Sequence, residues 1–178
     1  MADSMEGRMR LLGVIGFLAI AVGIAAGVFF FGGFYNIAAT ETDPAPVAAA
    51  LVRVRTASID HHATDRPPAG FGGPEMVQQG AAAFAARGCA NCHGGPGVEW
   101  AKFSEGLNPS PPDLNEVGPE LAPREVFWVV KNGIRMTGMP SFGAIGVTDD
   151  ELWKIAAFVK ALPQVTPADY AAWTAAKP

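Results

Sequence analysis

Two kinds of apolar pattern divide this chain. From Leu11 to Thr40 there is no charged residue, and the run LLGVIGFLAIAVGIAAGVFFFGGFYNIAAT is apolar on every side. Taken as a helix, Leu11 to Phe31 extends about 31 Å, which matches the ~30 Å hydrocarbon core of a bilayer. Beyond residue 74 the apolar residues instead return every three or four positions, the spacing of helices with one buried face. Pro74 and Glu75 open the first of these, and Gly88 closes it. A second begins at Ala122-Pro123, carries Val126, Phe127 and Val130 on its apolar face, and stops at Asn132-Gly133. The third has Thr148 as N-cap and Glu151 three positions on, a capping box. Its apolar residues are Leu152, Ile155, Ala156 and Val159, and Pro163 ends it. TPADYAAWTAA repeats the same logic in a shorter form. Only VRVRT, residues 52–56, alternates like a strand, and the same stretch also reads as a helix with Val47, Leu51 and Val54 on one face.

These elements predict an all-α protein, a single N-terminal transmembrane helix followed by a helical outer domain with long Pro/Gly loops. Four regions follow: a polar tail (1–10), the anchor (11–35), a connector ending in the cluster DRPPAGFGGP (36–73), and the folded domain (74–178). Arg8 and Arg10 precede the span, whereas Glu41 and Asp43 follow it. The positive-inside rule then puts the N-terminus in the cytoplasm and the folded domain in the periplasm of a bacterial inner membrane. The alternative is a cleaved signal peptide, but its apolar region is normally only about 7–15 residues, so a retained single-pass anchor is expected. Leu11–Tyr35 would then face lipid. Gly23 and Gly27 form a G-x-x-x-G pair that allows a second transmembrane helix to approach closely.

Composition adds little until the cysteines are reached. The net charge is −4, and no nucleic-acid partner is expected. The chain has two cysteines, Cys89 and Cys92, with His93 directly after the second. A structural zinc site needs four ligands, and only His61, His62 and His93 exist besides the thiols. His93 is poorly placed to share a tetrahedron with its neighbour Cys92. A thioredoxin-like disulfide would want a βαβ setting that the predicted elements lack. C-x-x-C-H is instead the attachment pattern of c-type haem. Thiols three residues apart can reach the two vinyl groups of one porphyrin and form thioethers, and the adjacent imidazole can meet the iron from the same face. One covalently attached haem c is therefore the expected cofactor, bound through Cys89 and Cys92 with His93 on the iron. For the sixth ligand the loop KNGIRMTGMPSFG offers Met136 and Met139. Methionine opposite histidine is the usual electron-transfer arrangement. Pro140 restricts Met139 to an extended backbone, which favours it over Met136. His61 and His62 are the weaker candidates, lying across the Pro/Gly boundary.

The order CANCH, PSPPDL, FWVVKNGIRMTGMPSFG, DDELWKIAAFVKALP resembles a class I monohaem cytochrome c. More narrowly, it is similar to the membrane-anchored monohaem cytochromes c of bacterial respiratory chains, strongly over residues 75–163 and more loosely in the anchor and connector. The resemblance implies that Cys89 and Cys92 hold the haem, with His93 as proximal and Met139 as distal iron ligand. It implies that Gly80 and Phe84 pack on the helix of Trp153 and Phe158, and that Pro111 to Leu114 run along one haem edge. Pro96 follows His93 much sooner than the histidine-orienting proline of mitochondrial-type members, so the acceptor of the His93 ring N–H is open.

By the same resemblance the chain is an electron-transfer protein rather than an enzyme, relaying single electrons between respiratory membrane complexes and a terminal oxidase or similar acceptor. The alternative is a permanently docked haem c subunit of a larger quinol-oxidising, dehydrogenase or oxidase complex. A flexible connector would favour the first mode and an ordered one the second. A haem-based sensor would need an output domain, and the sequence offers none. Gly95, Pro96, Met136, Pro140 and Phe142 are candidates for the rim of the haem edge, with Lys102, Lys131 and Arg135 nearby. From Glu75 onward there are 11 acidic and 8 basic residues, so strong electrostatic capture of partners is not expected.

Overall fold

The computed structural model describes residues 2–175. Contacts divide the chain between Glu41 and Thr42 into two compact units. The first is built on α1 (Ala2–Phe31), which ends where the apolar run predicted but continues back through the polar tail. Its apolar part, Met5–Phe31, has a mean hydropathy of 2.6 and is not buried by the rest of the protein. A helix apolar all round and left uncovered suits lipid as its solvent, so α1 fits a single-pass membrane anchor. Phe29, Phe30 and Tyr35 close its end as an aromatic cluster, with the Phe30 and Tyr35 rings 5.3 Å apart.

The second unit is helical and, among the described residues, holds no strand. The stretch 52–56 lies inside α2 (Ala45–His62), which settles the two readings of VRVRT in favour of the helix. Pro46 suits the first turn and the alanines favour continuation. No residue of α2 is buried. Its C-terminal end meets the core unit through His62, whose ring lies 6.1 Å from that of Trp128 at 32°.

α3 (Pro74–Ala86), α6 (Pro123–Asn132) and α7 (Asp149–Ala161) build the core, as their spacing predicted. Two short helices, α4 (Ala90–His93) and α5 (Leu114–Glu120), and α8 (Pro167–Ala175) complete the unit. α3 crosses α7 at Gly80, where an added Cβ would run into the Lys154 carbonyl and come 2.9 Å from Phe158 Cβ. The Phe84 and Phe158 rings meet at 5.1 Å one turn away, the packing the resemblance implied. Trp153 instead stacks on Phe127 of α6, 4.0 Å apart and nearly parallel. Val126, Phe127 and Val130 are all buried, as are Leu152, Ile155, Ala156 and Val159.

The capping box at α7 is half formed. The Thr148 hydroxyl accepts from the Glu151 N–H, but the Glu151 carboxylate turns away to the Arg87 guanidinium, 2.7 and 3.0 Å from its Nε and Nη2. A bidentate, charge-assisted pair outcompetes a bond to one backbone N–H. That pair also raises the Arg87 pKa and links the end of α3 to the start of α7.

Candidate functional site

The cysteine motif is placed by the end of α3. Gly88 takes φ +75°, a conformation open to glycine, and the chain re-enters a helical turn at once. The Cys89 N–H bonds the Phe84 carbonyl at 3.1 Å, and the Cys92 and His93 N–H groups both bond the Cys89 carbonyl, at 3.2 and 3.0 Å. Cys89, Cys92 and His93 thus share one turn, with the thiols on neighbouring positions of it. Both thiols are free and half-buried, and Cys89 packs against the hydrophobic core. Burial pushes the Cys89 thiol up to about 12, so it stays protonated at neutral pH.

The His93 ring has a partner that the sequence left open. Its Nδ1 lies 3.0 Å from the Pro112 carbonyl. A carbonyl only accepts, so Nδ1 carries the proton and the lone pair is on Nε2. Burial lowers the His93 pKa, with the Pro112 bond acting in the opposite direction. The PPDL stretch therefore orients the histidine through its backbone, a role that residue type does not reveal.

Behind His93 the chain reverses through Gly94 (φ +66°) and a tight turn, Gly95-Pro96-Gly97-Val98. Gly95 and Val98 exchange both backbone hydrogen bonds, at 2.8 and 2.9 Å. Proline then glycine at φ +73° is the signature of a type II turn.

Met139 sits on the loop after α6, and that loop is braced on both sides of it. The Met139 N–H donates to the Thr137 hydroxyl at 3.1 Å, and the Ile134 N–H donates to the Met139 carbonyl at 3.2 Å. Gly133, at φ +69°, lies so close that an added Cβ would stand 2.8 Å from the Met139 carbonyl oxygen. Met139 is half-buried against the same core as Cys89. Met136 has φ +60° and is 93% exposed.

Other expected rim residues divide. Phe142 is in the core, because its N–H bonds the Val130 carbonyl and draws the ring inward. Lys131 pairs with Asp149 at 2.8 Å, and Lys102 with Glu105 at 2.6 Å. His61 and His62 lie together on α2, where the His62 Nδ1 bonds the Ser58 carbonyl at 2.8 Å.

The donor set fits a c-type haem: two adjacent free thiols, an imidazole with Nδ1 engaged and Nε2 available, and a braced, half-buried thioether on a second loop. Among the described residues, no three His, Cys, Asp or Glu side chains gather as an alternative metal site. A helical domain carrying this set is of the cytochrome c class. Residues 75–159 match the family model described as cytochrome c oxidase, cbb3-type, subunit III, a match that supports a cytochrome c domain over that stretch. The match supports haem c and haem-based electron transfer. No curated protein and no solved structure matches the chain.

Proposed function

We propose that the chain relays one electron at a time through a single haem held covalently by Cys89 and Cys92, with His93 and Met139 as the axial iron ligands. The observation that carries this reading is the His93–Pro112 contact, which leaves Nε2 of a histidine beside two free thiols ready to ligate. When bound, the haem supplies an iron that changes between ferrous and ferric states. His93 is held in one tautomer by the Pro112 carbonyl, a bond that also raises its strength as a ligand. Met139 is preferred over Met136 because its backbone is pinned and its side chain lies against the core. Were His93 and Met139 both to hold the iron, no position there would be left for a substrate, which suits a transfer role. Replacing Met139 with alanine should keep the covalent haem but abolish the near-infrared methionine-to-iron absorption band; a variant that keeps the band shows the ligand to be another residue.

In this reading α1 anchors the chain in a bacterial inner membrane, with the folded unit in the periplasm, as the Arg8 and Arg10 flank suggests. Gly23 and Gly27 leave a face open to another transmembrane helix. The partners are respiratory membrane complexes, and the family's name makes an oxidase assembly the first to test. The ordered α2 favours a resident subunit over a freely swinging carrier, because 18 residues of the connector are helical and reach α6. Native electrophoresis of gently solubilised membranes with haem staining should then find the chain in a large assembly. Migration as a monomer in its micelle would make it a tethered carrier.

A further inference from the structure

The matched stretch ends at residue 159, but the chain continues into α8 and folds back over the turn behind the cysteine motif. Thr166 starts this helix, its hydroxyl accepting from the Asp169 N–H at 3.1 Å. Two contacts then meet the Gly94–Val98 reversal. A Cβ added at Gly97 would lie 2.8 Å from Pro167 Cβ, and one added at Gly95 would lie 3.3 Å from the Tyr170 ring. On its other side Tyr170 stacks on Phe158 of α7, 5.6 Å away at 18°, and the side chain is only 3% exposed. The ring is thus a spacer between the core and the backbone that directly follows His93. Glycine at 95 lets that backbone lie flat against it.

We propose that Tyr170 is a positioning residue for the haem site: its ring fixes the Gly94–Val98 turn behind His93 and keeps water from that side of the motif. This rests on the assignment of Cys89, Cys92 and His93 as the haem-holding set. Loss of an electron raises the charge of the site by one, and water favours the more highly charged form. A dry wall behind the proximal histidine therefore raises the midpoint potential, and opening it lowers the potential.

The test uses the full membrane-bound chain with Tyr170→Phe, Tyr170→Ala and Gly95→Ala. Haem-stained denaturing electrophoresis comes first, and a wild-type chain without covalent haem overturns the site assignment and this inference together. With haem retained, redox titration should give Tyr170→Phe the wild-type midpoint, since the ring remains. Tyr170→Ala should titrate lower, with the oxidised-to-reduced ratio at the wild-type midpoint raised at least about threefold. A haem-loaded Tyr170→Ala chain with the wild-type midpoint overturns the inference and leaves the site assignment standing. So does a Tyr170→Phe chain that shifts as far as the alanine variant. Should Tyr170→Ala fail to accumulate, Gly95→Ala decides, because its methyl would lie 3.3 Å from the intact ring, so turn and ring must part by a few tenths of an ångström. A lowered midpoint supports the inference and an unchanged one overturns it.

Discussion

At Gly80 one methyl group is enough to test the core. The Lys154 backbone of α7 occupies the space a Cβ would need, and backbone cannot step aside as a flexible side chain can. Gly80→Ala should force α3 and α7 apart and destabilise the folded unit by about 1–3 kcal/mol, the usual cost of overpacking. Chemical denaturation followed by tryptophan fluorescence would measure it; a variant as stable as wild type would mean that the helices cross elsewhere. Residues whose chemistry lies in the side chain could be nominated from sequence: Cys89, Cys92 and His93 by spacing, and Met139 by its glycine and proline neighbours. Pro112 was not, because it acts through a carbonyl that every residue possesses. Tyr170 was not, because its contact with Gly95 joins positions 75 residues apart. Glu151 was misjudged, since a local capping rule takes no account of an arginine arriving from α3.

Among elements, α3, α6 and α7 were readable because each has a buried face and a defined start and stop. α4 and α5 are four and seven residues long, too short for periodicity to show. α2 was ambiguous for a different reason. Its valines and arginines alternate, which mimics a strand, while its helical form buries none of them. Its end meets the unit in the His62–Trp128 contact and in the buried Ala63 that follows. An aromatic pair contributes about 0.5–1.5 kcal/mol, so Trp128→Ala should speed tryptic cleavage at Arg53 and Arg55 by up to about tenfold. Unchanged cleavage would show that α2 is held by something else. If α2 belongs to a docking surface, the same variant should also loosen the assembly seen by native electrophoresis.

The molecule as a whole joins one element suited to lipid to a helical unit that carries the cysteine motif. The apolar span of α1, Met5–Phe31, is not buried by the protein, and its apolar surface has no use in water. The second unit brings the cysteine turn, the Pro112 carbonyl and the braced Met139 loop onto one helical core, and α8 closes over the turn behind His93. Everything proposed for electron transfer depends on the cysteine turn holding haem by covalent bonds. The most direct measurement is denaturing electrophoresis with haem staining, run on membranes containing either the wild-type chain or the Cys89→Ser/Cys92→Ser variant and blotted for the chain in parallel. The expected result is a stained wild-type band at the mass of the chain, and a variant chain present on the blot but unstained. An unstained wild-type band, or stain that survives loss of both thiols, would contradict it.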